Sequence, residues 1–330
     1  MAFVDDLNVT LFDFPLATMI TILEKKSASS KNSAPEKSIF DYLEDPKATS
    51  TLPSLQSVLR ELETLTQKSN IRLDEVTRLV QVDQGMSLRV LRMANSVYYA
   101  PSQPILDVQD AILYIGLSTF RGAVVSTRCI EKTCHIQQGI LDWKDFWTHA
   151  AGVGYVTMEL AKHLKVTELG EESYYLMGLL HDIGKVVLAH LIPDRFDEIY
   201  ARAALERIAP AALETEALGV DHGLLGAWYL EQQGIPAAIC EAVRFHHSHV
   251  FEEKPHAKNA LLIRLADSLI RKCHLGESGN CADPGDPYSS EEWKWYFHHC
   301  FIMDPEGKDL QEKVMQMVEK VSDLVRTVIV

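Results

Sequence analysis

The feature that most constrains this chain is a short run near its centre: Gly178, Leu179, Leu180, His181, Asp182, Ile183, Gly184 and Lys185. Val186, Val187 and Leu188 follow directly, so the segment is apolar nearly all round and reads as a buried helix with Lys185 one turn beyond His181. An imidazole and a carboxylate buried together are costly unless they pair or ligate a metal. A fold built around this run must therefore supply partners from elsewhere in the chain.

Composition narrows the setting. The chain has 330 residues, enough for one large domain or two ordinary ones, and its formal charge is −14. That charge argues against a general affinity for nucleic acid or for anionic membrane, which attract basic surfaces. Six cysteines are sparse for the length and form no Cys-x-x-Cys pair, so a thiolate metal site is not expected. With no segment resembling a signal peptide and no apolar run near 18 residues, the expected location is a reducing cytoplasm.

No stretch sustains the period-two alternation of a strand, and the breaks between apolar segments are short, so the expected fold class is all-α. Residues 1–51 read as an arm and linker, with a short apolar piece at 12–23, a Ser-, Lys- and Asn-rich stretch at 25–37, and a second apolar piece at 39–43. From Leu52 helical spacing takes over, with Leu55, Val58, Leu59, Leu62 and Leu65 on one face and Leu73, Val76, Leu79 and Val80 on the next. Residues 86–94 give a further helix. Residues 108–115 and 118–126 read as two helices about a tight corner at Gly116. That pair has the outline of a helix-turn-helix, but no cluster of Lys or Arg lines its second helix, which favours two packed core helices.

Partners for the central run appear further along. Asp145 and His149 stand four apart and share a helical face. His222 opens an apolar helix, His246 and His247 close the next, and Asp267 sits inside the apolar stretch 260–267. A single histidine on an apolar helix is usually a satisfied core residue, and His135, His163, His190, His249, His256, His298 and His299 carry no role here. Asp182 and Asp267 in apolar helices are harder to explain that way, because unpaired buried charge is strongly disfavoured. Imidazole and carboxylate together suit Fe, Mn, Zn or Ni better than Ca or Mg. The candidate ligands His149, His181, Asp182, His222, His246, His247, Asp267 and Asp145 exceed what one tetrahedral ion needs, which favours two ions with Asp182 as the bridge.

The order His149, His181-Asp182, His222, His246-His247, Asp267 resembles the HD superfamily of metal-dependent phosphohydrolases, and residues 181–185 resemble its signature motif. Leu52-Pro53-Ser54-Leu55, residues 90–99 and residues 111–117 are more closely similar to the HDOD branch, an HD-related output domain of bacterial signalling proteins. This resemblance covers about residues 52–250. It implies a helical N-terminal subdomain (52–135) packed on an HD-like bundle (136–250), with helices over 251–330 completing the bundle. HDOD domains commonly lack the full ligand set of the hydrolases. This sequence keeps every ligand type used by the cyclic-di-GMP-degrading HD-GYP relatives, with Asp145 where those can carry an extra carboxylate, but has no Gly-Tyr-Pro signature after His246-His247.

Two functions follow from that resemblance. In the first, the chain is a signalling output module whose bundle holds two transition-metal ions, Fe or Mn ahead of Zn or Ni, and whose N-terminal helices meet a protein partner. In the second, it is a metal-dependent phosphohydrolase acting on a phosphorylated small molecule, a nucleotide or a cyclic dinucleotide. Asp182 would then hold the metals around a bridging water, and Lys185 would stabilise developing charge or assist the leaving group. An alternative role for Lys185 is a cation at a helix end, near exposed carbonyls. Near the C-terminus, Ser289 and Glu292 form a capping box for an aromatic helix at 293–301. The last helix spaces Leu310, Val314, Met317, Val321, Leu324 and Val328 like a short coiled-coil seam, for packing onto its own domain or for a homodimer.

Overall fold

The computed structural model describes residues 38–52, 77, 84–133, 139–166, 168–247, 257–286, 290, 293–294 and 308–329. Among these the chain is all-α, with no strand. The described helices are α1 (Ile39–Glu44), α2 (Pro46–Thr49), α3 (Gln84–Ala94), α4 (Val108–Ile115), α5 (Leu117–Thr133), α6 (Trp143–His163), α7 (Glu171–Leu180), α8 (Ile183–Leu191), α9 (Pro193–Glu206), α10 (Pro210–Leu218), α11 (His222–Gln232), α12 (Ala237–Phe245), α13 (Ala257–Lys272) and α14 (Lys308–Ile329). None is long and apolar enough to cross a membrane. The expected apolar piece at 12–23, the linker, most of the helices at 53–65 and 70–81, and the capping pair Ser289 and Glu292 lie outside the described residues.

The bundle is organised on α6, which is buried along most of its length because its sequence offers apolar and small residues on every face. Helices α7 and α13 pack along it, and α5 and α14 close its remaining sides. Helices α11 and α12 pack on each other, α11 against α8 and α12 against α13. The end of the expected arm is tied to this body rather than hanging from it. Ser38 caps α1 in a capping box with Asp41, and Ile39, Phe40 and Leu43 are buried in the common core. Thr51 Oγ1 hydrogen-bonds His190 Nε2 at 2.9 Å.

Gly116 turns the corner between α4 and α5 with φ +85°, a conformation that costs a residue with a Cβ. Residues 119–120, 122–127 and 129 of α5 are all buried, so most of this helix packs in the core, with Leu117, Arg121, Arg128 and Glu131 along its more exposed side. Helix α14 buries Val314, Val318, Val321, Leu324 and Val325, and it reaches α6, α13 and the N-terminal α3. Its apolar seam is thus used within the chain, joining the N-terminal helices to the bundle.

The central run differs from a single helix in one decisive way. Helix α7 ends at Leu180 and α8 begins at Ile183, with His181 and Asp182 in the turn between them. Two glycines let this turn sink into the bundle. A Cβ on Gly178 would stand 2.6 Å from the Val153 carbonyl oxygen and 2.7 Å from Gly154 Cα. A Cβ on Gly184 would overlap the backbone of His222. Because that obstacle is backbone and cannot rotate away, Gly184→Ala should lower stability by about 3 kcal/mol, the upper end of overpacking costs, in a denaturant titration. Gly234→Ala gives the comparison for left-handed backbone strain without collision, since its φ is +78° and nothing lies within 4 Å of its Cβ position.

Candidate metal centre

The break at 181–182 explains how neighbouring residues can face one point. On an uninterrupted helix, consecutive side chains diverge by about 100°. Here His181 Nε2 lies 3.3 Å from Asp182 Oδ2, and both side chains are buried. Asp182 occupies the N-cap position of α8 without capping it, because its oxygens are engaged elsewhere. Lys185 Nζ donates to Oδ2 at 2.7 Å, while His222 Nε2 stands 3.0 Å and His246 Nε2 3.8 Å from Oδ1.

Two groups of ligand-type atoms result, each set within 4.8 Å of one another: Asp182, His222, His246 and His247 in one, and His149, His181 and Asp182 in the other. Asp182 belongs to both, the placement expected of a bridge. Asp267 Oδ1 adjoins the second group, 3.0 Å from His149 Nε2 but out of hydrogen-bonding alignment. Among the described residues, neither ring nitrogen of His149 nor Nε2 of His246 has a hydrogen-bond partner, although both residues are buried. His222 Nε2 and His247 Nε2 meet at 2.7 Å, where two imidazole nitrogens can share at most one proton. Unpartnered Nε2 atoms of His149 and His246, in groups that share the Asp182 carboxylate, fit a bound cation.

Outer contacts aim these rings. His181 Nδ1 is 2.7 Å from the Gly178 carbonyl and His246 Nδ1 2.6 Å from that of Val243, so each Nδ1–H is held outward and Nε2 left for the interior. Glu214, which is fully buried, takes both the backbone N–H and Nδ1 of His222 on Oε2, at 2.7 Å each, and the Tyr200 hydroxyl on Oε1 at 2.7 Å. Glu214 and Tyr200 were not foreseen from the sequence. Glu214 did leave a trace, falling with Ala211 and Leu218 on the apolar face of α10.

Charge is balanced within this core. Burial opposes ionisation of Asp182, but His181 and Lys185 beside it hold its carboxyl well below the usual range. Asp267 is likewise held low, against its burial, by His149 and Arg271. Burial, then the neighbouring His181 and His222, pushes His246 down to about 3, and burial with His246 pushes His247 well down. Burial also lowers His149. These rings are therefore neutral, as metal ligands must be. His222 goes the other way: burial disfavours its charge, but Glu214 and then Asp182 bring it up to about 9.

Two sequence-based expectations need correction. Asp145 joins neither group; its side chain is exposed in the first turn of α6. It shares a face with His149, but four residues of helix place it about 6 Å nearer the end of α6, beyond the bundle's centre. Lys185 is no helix-terminal cation near exposed carbonyls. It is buried in the first turn of α8, bonded to Asp182 and, at 3.0 Å, to the Ser278 carbonyl oxygen.

That carbonyl belongs to a strap, residues 275–282, laid over the cluster. Gly276, at φ +66°, presses on the backbone of Asp145 and His149, where a Cβ would not fit. Glu277 N donates to the Asp145 carbonyl at 3.2 Å, and the Ala282 carbonyl accepts from Arg271. Gly279 packs on Tyr200 and Leu141.

The model of the HDOD domain matches residues 52–249, well over half of the chain. The chain belongs to the HDOD family. Its fold is shared with the crystal structure of an HDOD domain protein of unknown function from Geobacter sulfurreducens (21% identical, TM-score 0.67, covering 94% of this chain and 99% of that one). It is shared too with a provisionally named signal transduction protein from Marinobacter aquaeolei VT8 (18%, TM-score 0.67, 94% and 66%). A provisionally named phosphohydrolase from Shewanella amazonensis SB2B is also similar (21%, TM-score 0.62, 86% and 97%). An uncharacterised protein of Treponema pallidum (strain Nichols) is 27% identical over 221 residues, 66% of this chain; the match spans 40% of that relative's length.

The HDOD core's dependence on Lys185 is open to measurement. Lys185→Met removes the cation beside buried Asp182 and should destabilise the metal-free protein by about 3–5 kcal/mol, the usual cost of breaking a buried pair from one side. Metal loading should restore more stability to this variant than to the parent, read as the rise in melting temperature, because an ion replaces the missing positive charge.

Proposed function

We propose that this HDOD protein is a regulatory output module of a signalling system whose bundle holds a dinuclear transition-metal centre, Fe or Mn ahead of Zn or Ni. The ligands would be His149, His181, Asp182, His222, His246, His247 and Asp267. The observation that carries the reading is the pair of His groups sharing Asp182 in a core closed by the 275–282 strap. A centre whose His149, His181, Asp182, His222 and His246 are buried is suited to holding the bundle in one arrangement. The N-terminal helices would present the output surface to a protein partner, and the exposed Val97, Leu106 and Leu113 there support that role.

The second reading, a metal-dependent phosphohydrolase acting on a phosphorylated small molecule or nucleotide, is favoured by the near-complete ligand set and by Lys185 at Asp182. In it, bound ions would supply an activated water, while Lys185 and Asp182 would hold charge around the reacting phosphate. Lys185 would first have to leave the Ser278 carbonyl, so the strap weighs against this reading.

Metal analysis of the full chain tests the proposal. About two Fe or Mn per chain, lost in Asp182→Ala, is the expected result; no stoichiometric metal in the parent would overturn it. Metal-dependent turnover of a phosphoester, absent from Asp182→Ala, would move the assignment to the hydrolase.

The pH dependence has a definite sign. With His222 raised to about 9 in the metal-free site, loading must displace its proton over the neutral range. Apparent metal affinity should therefore rise with pH and level off near 9, with proton release seen by calorimetry in buffers of different ionisation enthalpy. An affinity unchanged across that range would contradict the assignment of His222.

A further inference from the structure

We propose that Glu214 is a positioning residue that makes the ion position bounded by His222, His246 and His247 the tighter of the two; this rests on the dinuclear reading. Asp182 serves both positions, so it cannot distinguish them. The outer contacts can. His181 and His246 lean on neutral carbonyl oxygens, and His149 Nδ1 has no hydrogen-bond partner among the described residues. His222 has an anionic carboxylate at its outer nitrogen.

A carboxylate behind a ligating imidazole fixes its tautomer, raises its donor strength and offsets part of the ion's charge. Here one oxygen does so twice over. Glu214 Oε2 accepts from the His222 backbone N–H and from Nδ1, each at 2.7 Å, which fixes the start of α11 and the rotation of the ring together. The ring's Nε2 is thereby turned toward Asp182 Oδ1 and His247 Nε2. Tyr200 secures the other Glu214 oxygen, and its own ring is stacked on Phe196 with centroids 4.1 Å apart. Helix capping does not account for this arrangement. Asp221 already caps α11 by accepting from Leu224 N, and a cap has no use for the bond to Nδ1.

The test is a Co²⁺ titration of the metal-free full-length protein, followed by calorimetry and by the visible absorption of the bound ion. The parent, Glu214→Gln, Tyr200→Phe and His149→Ala are compared. The parent should bind in two phases. Glu214→Gln should weaken the tight phase by roughly tenfold or more, the usual scale for loss of an outer carboxylate, and leave the weak phase in place. Tyr200→Phe should weaken the same phase by a smaller factor, and His149→Ala should remove the weak phase alone. Melting of the metal-free variants checks that each is folded; if Glu214→Gln is not, Tyr200→Phe decides.

An unchanged tight phase in folded Glu214→Gln or, failing that, in Tyr200→Phe would overturn the inference and leave the dinuclear reading standing. So would loss of the weak phase in its place. Absence of stoichiometric Co²⁺ binding in the parent would overturn both.

Discussion

The burial of Asp182 is the constraint from which the rest of the structure follows. A carboxylate in a closed apolar core is tolerated only when its charge is met on every side, and here it is met by Lys185 and a ring of imidazoles drawn from four further helices. No single element supplies all of these partners. Helix α6 brings His149, the end of α7 brings His181, α11 opens on His222 and α12 closes on His246. The bundle's topology is in effect the means of bringing those helix ends to one carboxylate.

Backbone details that look unrelated serve the same end. The interruption between α7 and α8 turns two adjacent residues inward together. Gly178 and Gly184 remove the side chains that would hold that turn away from α6 and α11. Gly276 lets the 275–282 strap lie directly on the backbone of α6, so the Ser278 carbonyl reaches Lys185. In each case the close approach is backbone to backbone, where any Cβ would have to move a helix and not merely a rotamer.

This enclosure shapes the functional reading more than the ligand set does. His149, His246 and His247 held neutral beside an ionised carboxylate suit a transition metal, and the same groups would serve either hydrolysis or a structural centre. What distinguishes the two is access. A lysine committed to a carbonyl of the overlying strap leaves Asp182 closed in, while exposed apolar residues cluster instead on α3, α4 and the segment between them. α14 packs on α3 as well as on α6 and α13, which gives the bundle and that surface a shared support.

The sequence by itself determined the helical class, the His-Asp pair and most of the candidate ligands. Periodicity and buried charge are local properties, and a carboxylate among leucines announces its need for partners wherever it lies. Only the tertiary structure decided which partners answered. It excluded Asp145, because sharing a face with His149 fixes direction but not depth along the helix. It added Glu214 and Tyr200, which approach His222 from helices whose packing angle no periodicity encodes. It gave Lys185 to Ser278, 93 residues away, through a strap whose course depends on where Gly276 meets α6. Local spacing sets which face a residue occupies; the crossing of helices sets what that face meets.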